Sequence, residues 1–200
     1  MPHRVPFIGL TGGLGAGKSE ALRALSELGA VTLSTDAVVH ELLLGDELRD
    51  VVVDRLGPGV ERDGGLDRSL IAERVFGDEE ARAWLERTLW PRVGERVAGW
   101  RLSLEDADPL PRAAVVEVPL LFESGMESLF DRTIAVVADE AVRAERAVAR
   151  GHAAVAERAG RQLSQEEKSQ RADFTIRNDG TIDELKQSLS SVLAKIEKST

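Results

Sequence analysis

The sequence predicts an α/β fold: a five-stranded parallel sheet covered by helices on both faces, interrupted by a helical insertion and a second, charged one. Three observations carry this. Short apolar runs alternate with helical patterns along most of the chain. A glycine-rich segment, Gly12 to Ser19, joins the first apolar run to the first helix. A long stretch between the second and third runs is mostly helical, too long for a simple connection and therefore a subdomain.

Taken in order, Phe7-Ile8-Gly9-Leu10 reads as a short buried strand, with Pro6 at its start, where a missing N–H is tolerated. Ala21, Leu22, Leu25 and Leu28 recur at helical spacing, and Gly29 follows where a helix stops. Ala30–Ser34 is a second strand, Ala113–Val118 a third, Thr133–Ala138 a fourth and Phe174–Ile176 a short fifth. A final helix, about Ile182 to Ile196, carries Leu185, Leu189, Val192 and Ile196 on one stripe. The expected units are a core domain of residues 1–35, 113–138 and 173–200, a helical subdomain of 36–112, and a charged lid of 139–172.

Composition limits what the chain can do. The 200 residues carry a net charge of −9, against the basic face that nucleic-acid binding needs. No apolar run reaches membrane-spanning length, and the N-terminus lacks the hydrophobic stretch of a signal peptide. With no cysteine, disulfides and thiolate metal sites are excluded, and a reducing, cytoplasmic setting is expected. His3, His40 and His152 have no zinc-like spacing. An acidic protein that binds polyphosphate must gather its cations locally.

Gly12-Gly13-Leu14-Gly15-Ala16-Gly17-Lys18-Ser19 satisfies G-x-x-x-x-G-K-[ST], the P-loop, in its required strand–loop–helix context. Glycines let backbone N–H groups turn around phosphate oxygens, and the helix start adds partial positive charge. Lys18 would then reach the β- and γ-phosphates of a bound nucleotide, and the Ser19 hydroxyl would hold Mg2+. In open parallel sheets the ligand crevice lies beyond the carboxyl ends of the strands. Asp36 follows the second strand and Glu117 ends the third, so both belong on that edge. Asp36 is the candidate proton acceptor, with a helix N-cap as its competing role. Glu117 is a candidate metal ligand or a structural ion-pair partner. Arg143, Arg146 and Arg150 share a helix face and repel one another unless compensated, which an anion would do. With Arg158, Arg161, Lys168 and Arg171 they suggest a basic flap over triphosphate. Trp84, Trp90 and Trp100 are expected in the core of the insertion.

Beyond the P-loop, several further stretches match one family in order. Asp36-Ala37 with His40, Asp63-Gly64-Gly65-Leu66-Asp67-Arg68 followed by Val75-Phe76, Glu117-Val118-Pro119-Leu120-Leu121-Phe122-Glu123, Arg158 to Gln162 with Glu167-Lys168, and Asn178-Asp179-Gly180 resemble the motifs of dephospho-coenzyme A kinases. The resemblance implies a nucleoside-kinase-like, three-layer P-loop fold and transfer of ATP's γ-phosphate to the ribose 3′-hydroxyl of dephospho-coenzyme A. It implies Asp36, Lys18 and Arg158 as catalytic residues, and Arg150, Asn178 and Gly180 beside the P-loop in nucleotide binding. It implies Asp36, His40, Leu66, Arg68, Pro119, Leu120, Leu121 and Phe122 around the acceptor, and ATP with Mg2+ as the cofactor set. A monomer, with room for weak self-association, and no nucleic-acid or membrane partner are expected from the sequence. Departures are Glu20 after the P-loop serine, Ser34 where the family has aspartate, Trp90-Pro91 for His-Pro, and a shorter lid between Arg150 and Arg158. The alternatives are a kinase of another small metabolite or nucleotide, a nucleotide-binding switch, and a copy retained only for binding.

Overall fold

A computed structural model describes residues 5–149 and 162–199. The chain forms two compact units, residues 1–34 with 100–200, and residues 35–99.

The first unit is built on five parallel strands. They are β1 (Phe7–Gly12), β2 (Val31–Ser34), β5 (Ala114–Glu117), β6 (Arg132–Val137) and β7 (Phe174–Arg177), in the order β2-β5-β1-β6-β7. β1 is central and buried along its whole length, as a strand covered on both faces must be. It pairs Leu10 with Glu117 of β5 on one side and Leu10 with Ile134 of β6 on the other. Pro6 lies just outside β1, and its carbonyl accepts the Ala114 N–H at 2.9 Å, so the proline costs the sheet no donor it needs. Connections leaving β1 toward β2 and leaving β5 toward β6 run to opposite sides of β1. That reversal is where open parallel sheets open a crevice.

Helix α1 (Lys18–Glu27) follows β1, and its apolar side packs with the C-terminal helix α8 (Ile182–Glu197) over one sheet face. Ile8, Leu10, Leu25, Ile134, Leu185, Leu189, Leu193 and Ile196 form this core, all at most 2% exposed. α1 stops at Gly29, whose φ of 92° is left-handed, and the Ala30 N–H returns to the Leu25 carbonyl. α8 starts with a capping box: the Thr181 hydroxyl accepts the Glu184 N–H, and the Glu184 carboxylate accepts the Thr181 N–H. α6 (Glu140–Ala149) and α7 (Gln165–Arg171) belong to the same unit, and α7 carries a second capping box on Ser164 and Glu167.

The helical unit holds α2 (Thr35–Leu44), α3 (Arg49–Leu56), a short hairpin of β3 (Glu61–Arg62) and β4 (Gly65–Leu66), α4 (Arg68–Val75) and most of α5 (Glu79–Ser103). Its core includes Leu42, Leu48, Val52, Val60, Ile71, Val93 and Val97. The tryptophans depart from expectation. All three are half-buried: Arg55 lies 5.9 Å over the Trp84 ring, and Trp100, in the sheet unit, meets Phe7 at 6.0 Å. Among the described residues no helix is long and apolar enough to cross a membrane.

Candidate active site

The P-loop connects β1 to α1 and is held from outside by two residues distant in sequence, Asn178 and Arg143. Gly17 is the N-cap of α1, with φ 92° and no side-chain cap bond, whereas α4, α7 and α8 are capped by Asp67, Ser164 and Thr181. Gly17 offers no side chain to the first amides of α1, which are donors of the kind that phosphate oxygens take. A helix start also carries partial positive charge. The Lys18 ammonium donates to the carbonyls of Gly12 (3.0 Å) and Gly13 (3.1 Å), so it folds back along the loop's rim.

Asn178, buried at 5% exposure, donates its side-chain amide to the Ala16 carbonyl at 2.9 Å. A Cβ on Gly17 would land on that same amide nitrogen, so the loop has room for glycine only. The Arg143 guanidinium donates to the Leu14 carbonyl at 2.9 Å, and Arg146 donates to the Asn178 carbonyl at 3.0 Å. The compensation expected from an anion is therefore supplied, for these two arginines, by backbone carbonyls around the loop. Gln165 hydrogen-bonds both the N–H and the carbonyl of Ala138, each at 2.9 Å, and so clamps the end of β6 to the start of α7. Between these supports a cavity of about 480 Å3 opens beside Gly13 and Leu14, edged by Arg143, Ser164 and Arg177.

Glu117 ends β5, half-buried, paired in register with Leu10 and with Ser34. In the segment after it, Leu121 is fully buried and Phe122 is 8% exposed, while Pro119 and Leu120 keep partial exposure. The first pair therefore anchors the turn after β5 from within. Lys168 departs from its place in a basic flap. It is fully buried, donating to the Pro119 carbonyl at 2.6 Å and pairing with Glu123 at 3.1 Å. Burial pushes its ammonium below the usual lysine range, and the Glu123 carboxylate partly offsets this. Glu20 pairs with Arg23 on α1. Gly180 precedes Thr181, the cap of α8.

In the helical unit, Asp36 lies in the first turn of α2, which begins at Thr35, and so does not precede the helix as an N-cap would. It faces Arg68 at 3.6 Å, with side chains 64% and 49% exposed. Arg68 opens α4 directly after Asp67, whose carboxylate accepts the N–H groups of Ser69 and Leu70. Those two bonds hold Asp67 below the usual carboxylate range. A pair this exposed contributes about 0–1 kcal/mol to stability, so it orients two charges without locking the fold. Leu66 is buried beside the cap and His40 is exposed on α2. Arg150, Arg158, Arg161 and His152 lie outside the described residues, as does His3.

Ser19 and Glu117 offer a hydroxyl and a carboxylate, hard oxygen donors of the type that suits Mg2+. Among the described residues no group of three or more His, Asp or Glu gathers to form a protein cage. That fits an ion held by one or two side chains together with substrate phosphates and water, as Mg2+ in kinase sites is.

Comparison with known proteins agrees with this arrangement. A curated dephospho-CoA kinase of Protochlamydia amoebophila is 38% identical over 195 residues, spanning 95% of this chain and 96% of the relative. A crystal structure from Thermus thermophilus superposes with a TM-score of 0.79 at 32% identity, covering 96% of this chain and 98% of that one. Dephospho-CoA kinase from Campylobacter jejuni superposes at 0.70 with 25% identity, over 96% and 98% of the two chains. The family model described as dephospho-CoA kinase matches residues 6–184, from the strand before the P-loop to the first turn of α8. With the P-loop, the turn after β5 and Asn178 all inside that span, the chain belongs to the dephospho-CoA kinase family.

Proposed function

We propose that the chain transfers the γ-phosphoryl group of ATP to the ribose 3′-hydroxyl of dephospho-coenzyme A, releasing coenzyme A and ADP. The observation that carries this is the P-loop: a glycine N-cap leaves the opening of α1 without a side-chain cap, with Lys18 on its rim, in a chain of this family. The loop amides of Gly12 to Ser19 hold the β- and γ-phosphates, and Lys18 turns from the Gly12 and Gly13 carbonyls to the γ-phosphate. Asp36 takes the proton from the 3′-hydroxyl as that oxygen bonds to the γ-phosphorus. The bond from γ-phosphorus to the bridging oxygen breaks, and ADP leaves with the electron pair. Arg158 stabilises the charge on the moving group. Ser19 and Glu117 hold Mg2+, which neutralises phosphate charge while bound.

Arg150, Asn178 and Gly180 serve nucleotide binding in this reading. Arg68 and His40 meet the acceptor's charged and polar groups, and Leu66 with Pro119 to Phe122 supplies its apolar contacts. Residues 36–112 serve as acceptor-binding subdomain and 139–172 as a lid that excludes water. The protein works as a monomer in the cytoplasm, where ATP and reduced coenzyme are available.

The Asp36→Asn variant tests the reading. Turnover with dephospho-coenzyme A should fall about 10²- to 10⁴-fold, the usual contribution of a positioned general base. Unchanged turnover removes Asp36 from the mechanism. Equal ADP release with and without an acceptor would instead identify a nucleotide-hydrolysing switch.

A further inference from the structure

Three segments of the sheet unit converge on one buried ammonium. Thr11, the residue before the P-loop's first glycine, is fully buried and donates its hydroxyl to the Pro119 carbonyl at 3.3 Å. The Lys168 ammonium, also fully buried, donates to that same carbonyl at 2.6 Å and to Glu123 Oε1 at 3.1 Å. Glu123 Oε1 in turn accepts the backbone N–H of Leu163 at 2.9 Å, close to where the chain returns from the lid region. The helix that carries Lys168 is itself anchored, by the Ser164–Glu167 capping box and by the Gln165 clamp on Ala138. The end of β1, the turn after β5 and the lid's return segment therefore share one junction.

A lysine is almost never fully buried unless it is paired, and apolar side chains of similar volume hold a core at least as well as a buried ion pair. Apolar packing, however, has no means of fixing a particular carbonyl. Here the ammonium fixes the Pro119 carbonyl in a turn whose next residues, Leu120 to Phe122, border the acceptor in the proposed function.

We infer that Lys168 is a positioning residue for the acceptor: through Pro119 and Glu123 it sets the acceptor-side turn against the P-loop strand and the base of the lid. The inference rests on the proposed function and names the residue that aligns its acceptor wall. Lys168 touches neither reactant. Its loss lets the turn shift, and a displacement of an ångström at a reacting group is enough to slow transfer strongly.

The test is steady-state kinetics on Lys168→Met, with both substrates varied, beside the double variant Lys168→Met/Glu123→Leu. The single variant leaves Glu123 buried without its cation and can fail to fold; the double variant removes both charges and restores apolar packing. In the double variant, and in the single one where it folds, the KM for dephospho-coenzyme A should rise, or kcat fall, by about tenfold or more. The KM for ATP and the acceptor-independent ATP hydrolysis should stay within about twofold, because the P-loop supports from Asn178 and Arg143 are intact. Amide exchange at Leu163 should quicken in both variants. A folded double variant with wild-type acceptor kinetics overturns the inference, and so does a parallel loss for ATP and acceptor, which is what a merely structural role would produce. Wild-type protein that does not phosphorylate dephospho-coenzyme A overturns the proposed function and this inference together, whereas wild-type turnover with unsplit variants overturns this inference alone.

Discussion

The contact between Gly17 and Asn178 gives a quantitative prediction about how the phosphate loop is held. A Cβ at Gly17 would meet two obstacles. The backbone there is left-handed, at φ 92°, costing an L-residue about 1–2 kcal/mol. The new carbon would also fall on Asn178 Nδ2, which donates to Ala16 at 2.9 Å. Relieving that overlap costs about 1–3 kcal/mol of repacking. Losing the bond to a buried carbonyl costs about 1–3 kcal/mol more. Gly17→Ala should therefore destabilise by about 3–8 kcal/mol, comparable with the whole stability of a typical domain. Asn178→Ala alone loses only the hydrogen bond, about 1–3 kcal/mol. In the double variant the overlap is gone and the bond is lost once, so the sum of the single effects should exceed the double by at least about 2 kcal/mol. Urea denaturation of the four proteins reads this coupling directly. Additivity within about 0.5 kcal/mol would show that Asn178 does not stand where the loop needs it, and would refute the reasoning.

Other predictions follow from the helical unit and the caps. Arg68→Ala should change stability by no more than about 1 kcal/mol, since its pair with Asp36 is exposed. The same variant should raise the KM for dephospho-coenzyme A by about tenfold through loss of a charge-assisted contact; an unchanged KM would remove Arg68 from the acceptor site. Asp67, Glu167 and Glu184 are each held below their unperturbed values of 3.8, 4.5 and 4.5, chiefly by accepting backbone N–H groups. In that range the unfolded chain binds more protons than the folded one, so stability rises with pH. The contribution is complete above those values and is lost as pH falls through each lowered one. Glu184→Gln should accordingly flatten the acid limb of a thermal-melting series, and an unaltered acid limb would contradict the capping role.

Much of the fold can be read from local pattern. The runs at Phe7, Ala114 and Thr133 are strands because the middle of a sheet covered on both faces needs continuous apolar segments, while those at Val31 and Phe174 alternate with polar residues and form its partly exposed edges. The stripe Leu185–Leu189–Val192–Ile196 is the buried face of α8. The P-loop was legible because its chemistry is local: glycines, a lysine and a helix start, contiguous in sequence. The supports of that loop were not. Asn178 reaches Ala16 across 162 positions, and Arg143 reaches Leu14 across 129. Nothing near either residue distinguishes a loop brace from a solvent-facing or ligand-facing polar group. Lys168 was obscured in the same way, since its charged neighbours Glu166, Glu167 and Arg171 mark a surface helix and only the tertiary fold buries its tip. Two signals were present in the sequence and unused, Ser164-x-x-Glu167 and Thr181-x-x-Glu184, both of which fold as capping boxes.

The central claim is that a phosphoryl group passes from ATP, held by the loop between β1 and α1, to one hydroxyl of dephospho-coenzyme A. Incubating the protein with ATP, Mg2+ and dephospho-coenzyme A, then locating the new phosphate by phosphorus NMR and mass spectrometry, tests it most directly. One added phosphoryl group is expected, on the ribose 3′-oxygen, formed in step with ADP and abolished with Lys18→Ala. ATP consumed while the acceptor stays unmodified, or phosphate found at another position, would contradict it.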